Sequence, residues 1–396
     1  MWPALPLAIH EDRDVDCDRT SMDNVIAVLE RNERVDEIIL ILSSTFLEEA
    51  LPAMLVPFPE LTDMRFESKD ETMPVLPDSF LGRSAPRLQS LSLNRIPFPG
   101  LTNLLLSTIH LVDLTLERVP HSGYIPPEAF VTALSTLTSL ETLHLEFQSR
   151  SHSDRAGRQP PLSTRFVFPA LTSFEFNGVN EYLEDFVSRV DAPQLDILNI
   201  TFNQIVFGTP QLVQFIGRTP RLKLLEQARV FFERVFFEHG TVWVKLSSKA
   251  RSYGELRVGI SIGEWDWEPS SLVQVCTLCL PPLSALEDLY IESSSDAPDW
   301  LDDIEDTQWL EVLHPFTAVK NLYLTEEFAQ RIAPAFQELS GDRATEVLPS
   351  LQNIIFKGPL PSESVQEAIG QFIVERQVIA VSSPPITVIH RPDIFY

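Results

Sequence analysis

The sequence predicts an α/β chain in which short parallel strands alternate with helices and stack side by side as one curved array. Three observations lead there. A Leu-x-x-Leu-x-Leu pattern, with conservative variants, recurs along almost the whole chain. Apolar residues at helical spacing fill several gaps between its copies. Prolines outnumber glycines, 31 to 14, and many stand just ahead of a copy.

The copies run in order. A first one fits Val35, Ile38 and Leu40, and clear ones begin at Leu61, Leu88, Leu111, Leu140, Leu171 and Leu195. A degenerate one is placed at Leu222 and Leu225, and three more begin at Leu286, Val319 and Leu351. Steps between successive starts from Leu61 to Leu195 are 27, 23, 29, 31 and 24 residues, and the last two are 33 and 32. These lie in or just above the leucine-rich-repeat range of about 20–29. Leu222 to Leu286 spans 64 residues, room for two units, and Glu255–Ser261 alternates there as a strand should, so one weak repeat is expected between them.

The chemistry of the pattern explains the fold. The last two apolar residues of each copy are two apart, so on a strand they share one side and enter the core. The return segments carry helix signals. Asp23 reads as the cap of a helix through Leu29, and Pro127 and Glu128 open a helix through Leu134. Residues 181–187, 211–216 and 365–373 have helical apolar spacing. Proline cannot donate to a strand ladder, so Pro59, Pro86, Pro169, Pro193 and Pro349 punctuate strand entrances. The expected architecture is a leucine-rich-repeat-like solenoid, or horseshoe. Its parallel strands line the concave face, and helices and loops the convex one. It is read as one domain over 1–396, with an N-terminal cap at 1–34, repeats at 35–360 and a C-terminal helix and tail at 361–396. A chain of 396 residues, 44% of them hydrophobic, suits such an array, because a single compact core stops growing near roughly 250–300 residues.

Composition narrows the function. With 30 basic and 56 acidic residues the net charge is -26, which argues against nucleic acid and anionic membranes as partners. Three cysteines, Cys17, Cys276 and Cys279, fit a reducing compartment better than a disulfide framework. The N-terminal stretch lacks the basic region of a signal peptide, and no apolar run reaches a membrane span of about 18–20 residues. A cytoplasmic or nuclear location is expected. Residues 149–161 read as a polar, locally basic surface loop.

Cys276 and Cys279 have the spacing of a metal pair, but no second pair follows, so they read as core thiols. Asp299, Asp302, Asp303, Glu305 and Asp306 lack the calcium-loop pattern and read as a solvated loop. Gly259 and Gly263 flank a strand-like segment without making a dinucleotide fingerprint. No enzyme activity, cofactor or metal is expected. The candidate site is instead the concave strand face, read from the outward positions of each copy. In the first half these include Ser90, Ser92, Asn94, Asp113, Thr115 and Glu117, then Thr142, His144, Glu146, Glu175 and Asn177, with Asn199 and Thr201 beyond. In the last three copies the middle outward position is Tyr290, Tyr323 and Ile355, a ladder expected at about 5 Å spacing. Aromatic ladders of this kind suit a binding hot spot. The partner-binding set is therefore Tyr290, Tyr323, Ile355, His144, Glu146, Glu175 and Asn177.

Several segments point to a family. Phe168-Pro-Ala-Leu-Thr-Ser-Phe174, Tyr182-Leu-Glu-Asp-Phe186 and Asp191-Ala-Pro-Gln-Leu195 are three of them. Thr209-Pro-Gln-Leu-Val-Gln-Phe-Ile-Gly-Arg-Thr-Pro220, Trp309-Leu-Glu-Val-Leu-His-Pro-Phe316 and Val319-Lys-Asn-Leu-Tyr-Leu324 continue the set. Val347-Leu-Pro-Ser-Leu351 and Ala368-Ile-Gly-Gln-Phe372 end it. On these segments the chain resembles the F-box-like proteins of mushroom-forming fungi over nearly its whole length. The resemblance implies a repeat region that holds a substrate for a ubiquitin ligase, with an F-box ahead of it binding the Skp-type adaptor. Leu5-Pro6 resembles an F-box opening, but an F-box needs some 40 residues or more, and repeat-like sequence is under way from Val35 to Leu42. Adaptor binding is thus expected only if an F-box is supplied upstream. The function read from the sequence is a protein–protein interaction scaffold for a protein of unknown identity. The alternatives are an orphan scaffold with no ligase link and, more remotely, a hydrolase with an unrecognised site.

Overall fold

The computed structural model describes residues 5–12, 19–70, 74–148, 165–203, 208–223, 225–235, 239–248, 254–262, 273, 276–277, 280, 283, 286–293, 304–339, 341–379 and 385–392. The chain is α/β: fifteen described strands run in large, mostly parallel sheet order and alternate with helices. Two compact units divide after Leu198, and each has its own account.

The first unit holds strands β1 (Leu7–Asp12), β2 (Val35–Leu42), β3 (Asp63–Ser68), β4 (Ser90–Asn94), β5 (Asp113–Val119) and β6 (Thr142–Phe147). The two-residue β7 (Phe166–Val167), β8 (Ser173–Gly178) and β9 (Val190–Asp191) follow. β1 through β6 and then β8 pair in sequence, all parallel, while β7 and β9 make a separate parallel pair. The residues read as an N-terminal cap thus supply a strand, β1, that joins β2.

The motif explains the register. Ile38, Met64, Leu91, Leu114, Leu143 and Phe174 align across the sheet, and so do Leu40, Phe66, Leu93, Leu116, Leu145 and Phe176. All twelve are buried. Each such side chain contributes roughly 1.5–3 kcal/mol on burial, and a one-residue slip would turn the whole set to the other face. In several copies the first apolar residue does a different job: its N–H closes a β-turn. Leu61 donates to Phe58 O at 3.4 Å, Leu88 to Ala85 O at 3.1 Å and Leu111 to Thr108 O at 3.0 Å. Pro59 and Pro86 occupy the second turn position, where a fixed φ favours the turn. The next two N–H groups then converge on one carbonyl of the preceding strand. Gln89 and Ser90 donate to Thr62 O at 2.7 and 3.0 Å, and Glu141 and Thr142 to Val112 O at 2.8 and 3.1 Å.

Helices close the apolar side. They are α1 (Arg19–Leu29), α2 (Ser44–Ala50), α3 (Leu101–Leu105), α4 (Pro127–Leu134) and α5 (Asn180–Ser188). Phe186 of α5 packs on Phe174 of β8 with ring centroids 5.3 Å apart, and Phe130 of α4 lies 6.4 Å from Phe186. α4 spans the predicted residues. α1 begins at Arg19, so Asp23 lies inside the helix and does not cap it.

The second unit takes most of β10 (Ile197–Phe202), followed by α6 (Pro210–Arg218), β11 (Gln227–Val235), β12 (His239–Ser247) and β13 (Glu255–Ile262). β14 (Asp288–Ser293), α7 (Asp306–Leu313), β15 (Asn321–Thr325), α8 (Glu326–Gln337), β16 (Asn353–Lys357), α9 (Glu363–Ile379) and β17 (Thr387–Arg391) complete it. Its strand order is β10-β13-β12-β11-β14-β15-β16-β17. β11 and β14 to β17 pair in parallel, with the apolar pairs Leu289/Ile291, Leu322/Leu324 and Ile354/Phe356 in register. Helices again cover the apolar side of this unit's core. Trp309 of α7 meets Phe328 of α8 edge to face, and Phe336 of α8 stacks on Phe372 of α9 at 4.6 Å. In α9 the buried Arg376 donates to Val347 O and Leu348 O at 3.3 and 2.6 Å, and burial holds its guanidinium below the usual arginine range. The C-terminal segment read as helix and tail adds β17 as well as α9.

Between Leu222 and Leu286 the structure corrects the sequence reading. Two antiparallel pairings, β11 with β12 and β12 with β13, form a meander where one hidden repeat was expected. The degenerate copy also sits three residues later than read: Ala228 and Val230 align with Leu289 and Ile291, which puts Leu225 in the place of Leu286. Gly259 finds its reason in this meander. It pairs with Trp243, and a Cβ there would run into the indole ring. Replacing Gly259 by Val is expected to lower stability by about 1–3 kcal/mol through overpacking. A urea unfolding midpoint equal to the wild type's would contradict this.

Candidate functional site

Each unit leaves the opposite side of its strands lined by residues that alternate with the buried pairs. In the first unit the middle outward row reads Ile39, Arg65, Ser92, Thr115, His144 and Glu175 in register. The next row reads Ile41, Glu67, Asn94, Glu117, Glu146 and Asn177. Between Glu117 and Glu146 the register shifts, at a bulge where Arg118 takes φ 49°.

Four predicted residues, His144, Glu146, Glu175 and Asn177, meet here on the adjacent strands β6 and β8. His144 Nδ1 lies 3.8 Å from Glu117 Oε1 and 3.9 Å from Glu175 Oε2, so the ring bridges carboxylates of both flanking strands. Asn94 Nδ2 donates to Glu117 Oε2 at 2.8 Å. Arg65 bonds Glu67 at 3.1 Å along its own strand. Burial pushes the Glu146 carboxyl above its ordinary range; Glu117 and Glu175 add to this, while Arg118 and His144 pull against it. Among the described residues no His, Cys, Asp and Glu grouping has the geometry to hold a metal ion.

The second unit brings two of its three predicted residues into one stack. Tyr290 and Tyr323 lie ring on ring, centroids 4.0 Å apart and planes 7° from parallel, closer than strand spacing alone requires. Ile355 follows in register beside Tyr323 but is only 2% exposed, and Ile389 of β17 continues the row beyond it, so Ile355 is covered and does not face solvent. Arg229 of β11 stands beside Tyr290 in the row, with its guanidinium 4.5 Å from the Tyr290 ring centre, and Lys357 Nζ lies 4.8 Å from the same ring. Glu292 ties the two cations together, accepting from Arg229 at 2.8 Å and from Lys357 at 3.1 Å. A parallel ladder runs alongside: Asn353 Nδ2 donates to Asn321 Oδ1 at 2.7 Å, and Asn321 Nδ2 to Asp288 Oδ1 at 2.6 Å. Burial, with Tyr323 adding, lifts the Tyr290 phenol far above its ordinary value, so it stays a neutral donor.

Arg229, Lys357 and Glu292 escaped the sequence reading. Arg229 was hidden by the three-residue error in the β11 register. Lys357 and Glu292 stand one place past the last apolar residue of their copies, an outward position that alternation could have supplied. The acidic stretch near residue 300 resolves in part: Asp306 opens α7, and the Glu305 N–H donates to Gln308 Oε1 at 2.9 Å. Asp299, Asp302 and Asp303 lie outside the described residues, as do Cys17, Cys279, Gly263 and the loop at 149–161. Cys276 is buried. A recess between α3 and α4 is lined by Thr102, Asn103, Leu106, Glu128, Ala129 and Thr132, with Glu128 its one ionisable side chain. Among the described residues no helix is long and apolar enough to cross a membrane.

No family model and no curated protein matches the sequence.

The raised pKa of Glu146 gives a test of the first-unit geometry. A carboxyl whose folded value lies above its unfolded one favours folding only below the unfolded pKa, and that advantage is lost as pH rises through the folded value. Glu146→Gln, which removes the buried charge, is therefore expected to raise the melting temperature at pH 7.5, with the gain shrinking towards pH 4. A gain that grew on acidification would show the carboxylate to be favourably paired.

Proposed function

We propose that the protein is a leucine-rich-repeat-like scaffold that binds another protein on the outward rows of its strands, with no chemistry of its own. The observation that carries this is the Tyr290–Tyr323 stack with its two cations. Paired flat rings flanked by Arg229 and Lys357 combine large apolar area, little side-chain entropy to lose and donors at the edge. Tyrosine and arginine anchors of this kind dominate protein interfaces. The in-register apolar pairs of each unit support the repeat reading, since they give each strand the same outward positions. The resemblance to fungal F-box-like proteins supports a narrower version: the scaffold is the substrate-recognition region of a ubiquitin-ligase subunit, and it meets the Skp-type adaptor through an F-box supplied upstream. A scaffold with no ligase link shares the same binding face.

Tagged protein purified from its own cells and analysed by mass spectrometry separates these. A reproducible protein partner that is weakened at least about tenfold in the Tyr290→Ala, Tyr323→Ala variant is the expected outcome. Full retention of the partner by a folded variant sinks the tyrosine site. Adaptor and cullin in the eluate favour the ligase role; a partner without them removes it.

A further inference from the structure

The tyrosine row of the second unit continues past Arg229 into the meander. Arg229 of β11 pairs directly with Lys245 of β12, and Lys245 with Arg257 of β13. One row therefore crosses five strands and reads Arg257, Lys245, Arg229, Tyr290 and Tyr323. Like charges directly opposite one another are unfavourable, so three cations in succession need anions beside them. Glu255 lies 2.7 Å from Lys245 and 3.5 Å from Arg257, and Glu292 holds Arg229 and Lys357. Two carboxylates thus serve four cations, and each cation keeps N–H groups to spare. A ligand can reach them, because their side chains keep between 23 and 37% of their surface accessible. Arg391 is exposed and stands in register with Lys357. The third carboxylate, Asp288, is buried and already takes a hydrogen bond from Asn321. Over the three rows that pass through Asp288, Tyr290 and Glu292, cations outnumber carboxylates five to three, in a chain whose net charge is -26.

We propose that this row binds an acidic protein segment, with Asp or Glu side chains on Arg257, Lys245 and Arg229 and an apolar or aromatic side chain on the Tyr290–Tyr323 stack. Charge complementarity selects that occupant: incoming carboxylates supply the anions that the cation row lacks, and they form charge-assisted hydrogen bonds with its spare N–H groups. The order of the row adds a second requirement. Cations fill its first three places and stacked rings the next two, so the segment must carry acid and apolar groups side by side. Five strands about 4.8 Å apart span roughly 19 Å, the length of about six extended residues, which holds both. A nucleic acid is the poorer fit, because the excess of positive charge is local and the rest of the chain is acidic. The proposal rests on the reading that the second unit's outward row is the binding face, and it names the chemistry of the partner.

The test uses the full chain and rhodamine-labelled hexa-glutamate ending in tryptophan, followed by fluorescence anisotropy. The same peptide with glutamine in place of glutamate is the neutral control, and labelled oligothymidylate is the control for any polyanion. The wild type is expected to bind the acidic peptide at least about tenfold more tightly than either control. This comparison needs no variant to fold, and equal binding of either control overturns the proposal. Lys245→Gln with Arg257→Gln should weaken the acidic peptide at least about tenfold, whereas the same charge loss at the exposed Arg31 and Lys223, by Arg31→Gln with Lys223→Gln, should change it less than about twofold. Equal losses in the two double variants would mean attraction to bulk charge and would also overturn it. The failures of the two readings are distinguishable in the partner-capture experiment. A partner lost by the Tyr290→Ala, Tyr323→Ala chain but fully kept by the Lys245→Gln, Arg257→Gln chain leaves the binding face standing and removes the acidic partner.

Discussion

The fold of both units depends on how one strand is hung on the last. Two successive N–H groups at a strand entrance donate to a single carbonyl of the preceding strand, as Val112 and Asp113 do to Gln89 O and Asn353 and Gln352 do to Lys320 O. That clamp fixes where the new strand begins. The turn just before it, closed by the first apolar residue of the motif, fixes the direction of approach. Once both are set, the side chains two apart must all fall on the same side. Helices then need only supply apolar cover, which explains why their lengths differ so much, from five residues in α3 to seventeen in α9, while the strand entrances hardly vary.

The outward rows follow from the same constraint but carry different chemistry in the two units. Parallel, in-register strands place like positions side by side about 4.8 Å apart. In the second unit that spacing is used for a tyrosine pair, an asparagine ladder and two cations sharing Glu292. In the first unit it brings together mainly carboxylates and amides. Carboxylates gather around His144, Glu146 is pushed towards its neutral form, and two amide oxygens lack donors.

Much of this was legible in the sequence because the strand period is two and the motif states its own phase. Leu91 and Leu93 turn inward, so Ser90, Ser92 and Asn94 turn outward, and the same logic placed His144, Glu146, Glu175 and Asn177 on one face. It placed Tyr290 and Tyr323 in one row for the same reason. The meander of β11 to β13 was illegible as such, because an antiparallel strand alternates just as a parallel one does; Glu255–Ser261 was recognised as a strand, but its direction was not. The start of α1 was missed because Thr20 and Ser21 are capping types as good as Asp23, so residue type alone does not choose among the starts. Ile355 was taken as exposed since alternation says which way a residue points and not what flanks it. Arg229 was lost with the β11 register, as Ala228 replaces the large apolar residue that marks phase elsewhere.

The central claim is that a protein partner sits on the outward rows and not on the helices. Site-specific photo-cross-linking tests it most directly. A benzophenone amino acid is placed at Thr115, on an outward row, and in a second variant at Glu181, on α5, and each tagged chain is irradiated in its own cells. The account predicts a discrete heavier adduct from position 115 and none from position 181. The same adduct from 181 alone would put the partner on the helical side and contradict the account.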